Sequence, residues 1–173
     1  MSNEEKIVEE LVKNALYRMD ESTRMIKKSL AEISEEELWA KPNESLNSIA
    51  NLILHLCGNI TQYIISSLGE KEDIRNRDLE FSTNKSASKS EILGKLEDTV
   101  DIAKRVIFDA SLDQLLKTRS VQGFSLSGVG VIIHAVEHYS YHTGQIAFWI
   151  KQLKNKDLGF YDEMDLNIKG SLA

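Results

Sequence analysis

The chain has 173 residues, 42% hydrophobic and 28% charged, which suits one soluble domain with a sizeable core spanning residues 1–173. Its net charge of −6 argues against a nucleic-acid binder, whose phosphate contacts need clustered Lys and Arg, and its single cysteine, Cys57, rules out an internal disulfide. One proline and nine glycines leave few places to break a helix, so the expected class is all-α.

The first predicted helix runs from about Glu4 to Ile33. Val8, Val12, Ala15, Met19, Thr23, Ile26, Leu30 and Ile33 form its apolar stripe. Ser34 begins a short acidic turn toward Trp39, and Pro42 marks a break. A second helix starts near Ser45 or Asn47, both good N-caps, and reaches about Leu68, with Gly69 as its stop. The polar stretch from Glu70 to Ser88 reads as a loop long enough to cross a bundle. A third helix spans about Lys89 to Ala110, on a stripe of Ile92, Leu96, Val100, Ala103, Val106 and Ala110. The segment VQGFSLSG reads as a loop or small hairpin, with a helix start at Ser125 or Ser127. The fourth helix runs from about Gly128 to Leu153, and the tail after Lys154 has no clear period. Four helices with one long connection suggest a four-helix bundle. The N-terminus lacks a secretory pattern and no apolar run approaches the roughly 20 residues of a membrane helix, so a cytoplasmic location is expected.

All four histidines lie in two helical segments: His55 in ANLILHLCGN, and His134, His138 and His142 in IIHAVEHYSYHTGQI. A spacing of four stacks side chains on one helix face. Two imidazoles one turn apart can grip one metal ion, and a third from a neighbouring helix completes the set. His134 and His142 are two turns apart, about 12 Å along the axis. One ion therefore takes an adjacent pair. On a helical wheel His142 lies nearest the apolar sector, His138 at its boundary and His134 farthest out. The expected ligands are His55, His138 and His142, with His134 peripheral or behind them.

Around His55, the residues Ser48, Asn51, Asn59 and Gln62 extend a polar stripe along an otherwise apolar helix. It is either a solvent face or the wall of a polar cavity. Cys57 lies about 200° from His55 on the wheel and points away. Asn59 and Gln145 are candidates to contact the ligands or a substrate, as is Tyr141; Glu137, on the same flank, reads as exposed. The pattern is neither the Glu-x-x-His of di-iron bundles nor the His-Glu-x-x-His of zincins.

At His55 and at His138-Tyr-Ser-Tyr-His142-Thr-Gly-Gln-Ile, the chain resembles the DinB-like superfamily over about Glu4 to Leu153. Its members are bacterial four-helix bundles that include the bacillithiol and mycothiol transferases. The resemblance matches His55, His138 and His142 to the family triad and Gly144-Gln145 to the pair that follows it. It implies an up-down-down-up order with a long crossover between the second and third helices. It also implies a divalent ion such as nickel or zinc, and a homodimer.

Three functions are compatible with these residues. The first is a metal-dependent low-molecular-weight thiol S-transferase, since a metal-bound thiol is readily deprotonated. The second is a metal-dependent hydrolase using water of lowered pKa. The third is a non-enzymatic, stress-related module in which the ion only staples the bundle. The expected partner is a small molecule such as a thiol, with neither nucleic acid nor membrane.

Overall fold

The computed structural model describes residues 2–170 and is mostly helical. Helix α1 (Asn3–Leu30) opens on a capping box: Ser2 Oγ accepts from the Glu5 amide and the Glu5 carboxylate accepts from the Ser2 amide. It ends three residues before the expected Ile33, because Ser34 caps a new short helix, α2 (Glu35–Trp39), by the same device with Glu37. Ile33 is nevertheless buried, in the turn between them.

Helix α3 (Ile49–Ile60) is capped by Ser48, not by Ser45 or Asn47. The Ser48 hydroxyl accepts from the Asn51 amide at 3.1 Å, and Asn51 Oδ1 accepts from the Ser48 amide at 3.3 Å. The helix continues as a π-helical segment (Thr61–Leu68), which widens the turn and swings Tyr63 and Ile64 into the core. Gly69 closes it, its amide donating to the Ile64 carbonyl at 2.9 Å.

The crossover is not wholly a loop. It contains helix α4 (Arg77–Ser82), capped by Asn76. Six residues are too few to show a period, and α4 is held by tertiary bonds: Asn51 Nδ2 donates to the carbonyls of Glu80 and Thr83, both at 2.9 Å. Helix α5 (Lys89–Asp109) follows its Ser88 cap, then α6 (Leu112–Leu116). Strands β1 (Thr118–Val121) and β2 (Phe124–Ser127) form an antiparallel hairpin, with Val121 opposite Phe124. Its two-residue turn puts Gln122 and Gly123 at positive φ, the geometry that matches strand twist. Ser127 then caps α7 (Gly128–Lys154), and Asn155 ends it in the left-handed region.

The four long helical stretches close around one core. Helix α1 packs on α7 and α5, and α3 packs on the same two. Met19, Ile26, Leu30, Ile53, Leu56 and Ile60 fill the interior, and Tyr139 ties α7 to α1 through a 2.8 Å bond with Thr23. The tail returns over α1, where Lys28 and Arg24 donate to the carbonyls of Gly159 and Phe160. No helix among the described residues is long and apolar enough to cross a membrane.

Candidate metal centre

The polar stripe of α3 is buried, not solvated: Ser48, Asn51, His55 and Asn59 are all inside. Where α3 meets α7, His55 comes against His138 and His142. Ring centroids are 5.0 Å apart for His55 with each of the other two, and 4.5 Å for His138 with His142. One ring nitrogen from each histidine lies within 4.8 Å of the other two. The His55 and His138 Nε2 atoms are 2.9 Å apart. A tetrahedral ion with metal–nitrogen bonds near 2.0–2.1 Å sets its ligand nitrogens about 3.4 Å apart. The observed separations bracket that distance, so the three side chains fit a small divalent cation.

Two of the three rings are oriented by neighbours. His55 Nδ1 lies 2.9 Å from Glu80 Oε2, and His142 Nδ1 lies 2.7 Å from Gln145 Oε1. With both oxygens accepting, both Nδ1 atoms carry the proton and both Nε2 atoms are unprotonated. His138 Nε2 then holds a proton and donates it to His55 Nε2. Burial, then repulsion from His142 and His55, pushes His138 down to about 3, and burial also lowers His142. Neutral imidazole is the form that binds a metal.

Glu80 and Arg75 were not legible as site residues in the sequence. Arg75 Nε donates to Glu80 Oε1 at 2.7 Å and Nη2 to Oε2 at 2.9 Å, a bidentate pair with both side chains buried. Burial raises the Glu80 carboxyl, but the hydrogen bonds from Arg75 and His55 outweigh it and hold it below its ordinary value. Arg75 Nη1 also donates to Gln62 Oε1 at 2.8 Å, and Gln62 passes a bond to Asp73 at 2.6 Å. The polar stripe of α3 is thus the dock for the crossover. Buried Asn51 required partners, and that was the signal available.

The remaining candidates divide. His134 is outside the triad: its ring stacks on Tyr63 at 4.0 Å and on His138 at 5.6 Å, and its buried Nε2 has no hydrogen-bond partner among the described residues. Asn59 is buried one turn from His55, with Oδ1 likewise unpartnered. Tyr141 is exposed beside His142, ring centroids 5.0 Å apart, and Glu137 is exposed. Phe81 of α4 covers the other flank, 4.9 Å from the His55 ring, with the Arg77 guanidinium over its own face. The Cys57 thiol is buried away from the triad, and burial pushes it up to about 11, so it is an inert packing group.

Comparison with known proteins agrees with this architecture. The YjoA protein of Bacillus subtilis, described as DinB-like, superposes with a TM-score of 0.64 at 16% identity, covering 88% of this chain and 96% of that one. YfiT of Bacillus subtilis, described as a probable metal-dependent hydrolase with an unusual four-helix bundle topology, superposes at 0.67 with 13% identity and 90% of each chain. A mycothiol-dependent maleylpyruvate isomerase superposes at 0.63 with 12% identity, covering 78% of this chain and 60% of that one. At such identities the likeness is one of fold. No protein of curated function matches the sequence. The model of DUF1572, a family described as proteins of unknown function, matches residues 6–161; the chain therefore belongs to the DUF1572 family and has the DinB-like fold.

Proposed function

We propose that the chain is a divalent-metal enzyme whose ion is held by His55, His138 and His142, and whose reaction uses a low-molecular-weight thiol as nucleophile. The observation that carries this reading is the convergence of three imidazoles from two helices, two of them held by their Nδ1 protons so that Nε2 is the unprotonated nitrogen. When bound, such an ion supplies the positive charge that ionises a thiol or a water at neutral pH. Glu80 and Gln145 hold the His55 and His142 rings by their Nδ1 protons, and His138 offers its Nε2 once that proton moves to Nδ1. Phe81 and Tyr141 flank the triad with aromatic surface, which would exclude water from one part of the site and contact the apolar part of a substrate.

Thiol chemistry is favoured over hydrolysis by the state of Glu80. The carboxylate that touches the triad is fully engaged by Arg75 and His55 and is not free to act as a base toward water. A thiol needs less help to ionise. The name of the mycothiol-dependent neighbour agrees with this reading; that of YfiT favours the alternative, a metal-dependent hydrolase.

Cobalt-substituted protein exposed to cysteine, glutathione and mycothiol separates the two. The thiol reading expects a sulfur-to-metal charge-transfer band and turnover with an electrophile, both lost in His55→Ala. Absence of any band, with triad-dependent ester or amide hydrolysis in its place, would make the protein a hydrolase.

A further inference from the structure

Gly58 lies one turn after His55, and α3 has a notch there. A Cβ at Gly58 would sit 1.8 Å from Glu80 Oε1, 2.7 Å from Glu80 Cδ and 2.9 Å from Arg75 Nε. The absence of a side chain at this position is what lets a buried ion pair from the crossover lie directly against the helix that carries His55. We propose that Glu80, seated in the Gly58 notch and gripped by Arg75, is the positioning residue for His55: it fixes the Nδ1-protonated tautomer and turns Nε2 toward the triad. The inference deepens the metal-site reading and rests on it for its consequence, though not for its geometry.

The bonds leave one consistent arrangement. Arg75 meets Glu80 through two nitrogens, as a guanidinium meets a carboxylate, so Glu80 can only accept. The proton between Glu80 Oε2 and His55 Nδ1 therefore belongs to the imidazole. Arg75 Nη2 also approaches His55 Nδ1 to 3.1 Å, but both are donors and both point to the same Oε2. Arg75 is itself fixed by Gln62, and the Glu80 backbone by Asn51, so the clamp is tied to α3 before His55 and to the π-helical segment after it. A carboxylate behind a ligating histidine raises its basicity, and losing such a partner typically costs 10–100-fold in metal affinity.

Two readouts test it, on the full chain. The first is the tautomer of His55 in ion-free protein, read from imidazole nitrogen shifts in long-range NMR spectra. Wild type should show protonated Nδ1, and Glu80→Ala should shift His55 toward the Nε2-protonated form. The second is zinc affinity by chelator competition. Glu80→Gln and Glu80→Ala should each weaken it about 10–100-fold. Gly58→Ala keeps the carboxylate but fills its seat, and should reproduce both effects; if Glu80→Ala fails to fold, this variant and Glu80→Gln still decide. Wild-type tautomer and wild-type affinity in Glu80→Gln and Gly58→Ala would overturn the proposal. If wild type takes up neither zinc nor nickel nor cobalt, the metal reading fails, and the tautomer alone decides the role of Glu80.

Discussion

At the residue scale, His138 is where burial and charge meet most sharply. Burial, then the neighbouring imidazoles, hold its folded-state value near 3, against 6.5 for the ordinary side chain. Between those values the unfolded chain binds a proton that the folded protein resists. The stability this contributes is complete above pH 6.5 and is lost progressively as pH falls toward 3. His142 is shifted in the same direction, again first by burial, and adds to the effect. The ion-free protein should therefore unfold at lower urea concentration at about pH 4.5 than at about pH 7, and His138→Leu should shrink that difference. Equal pH dependence in wild type and His138→Leu would show that the imidazole is not kept neutral by the fold. His134, one turn away, differs in kind: its ring stacks on Tyr63 and it stands beside the converging triad, not in it.

At the element scale, the long helices were legible because each repeats apolar residues over several turns, as along Val8 to Leu30 and Ile92 to Val106. The wheel puts His142 nearest the interior, and His142 is the buried one of the three, with His138 and His134 half-buried. Two features were hidden. The π-helical turn at Thr61–Leu68 leaves no mark in the pattern, since its apolar residues continue the run begun in α3. Helix α4 is six residues in a charged stretch, and Glu80 meets His55 across 25 positions of chain. Only the tertiary fold makes that pair. Glycines show the same contrast between local and tertiary control. At Gly94, within α5, an added Cβ would meet nothing within 4 Å, so Gly94→Ala should raise stability by about 0.5–1 kcal/mol through helix propensity and chain entropy. Gly58→Ala, the same change in α3, meets Glu80 and should not. Urea unfolding of the two variants checks this; a loss of stability in Gly94→Ala would contradict the account of α5.

At the scale of the whole molecule, the bundle sets two helices, α3 and α7, face to face at a polar level of the interior, and the crossover packs against that level through Asn51 and Glu80. Buried polar groups are costly unless partnered. Asn51, His55, Asn59, Glu80 and His142 are buried together there, and the metal-site reading accounts for that grouping. The central claim is that these histidines form one cation site. Elemental analysis of protein refolded with zinc, nickel or cobalt and freed of excess metal tests it most directly. Wild type and His134→Ala should retain about one ion per chain, and His55→Ala, His138→Ala and His142→Ala should each retain almost none. Equal metal content in wild type and the three triad variants, or loss in His134→Ala with retention in His142→Ala, would contradict it.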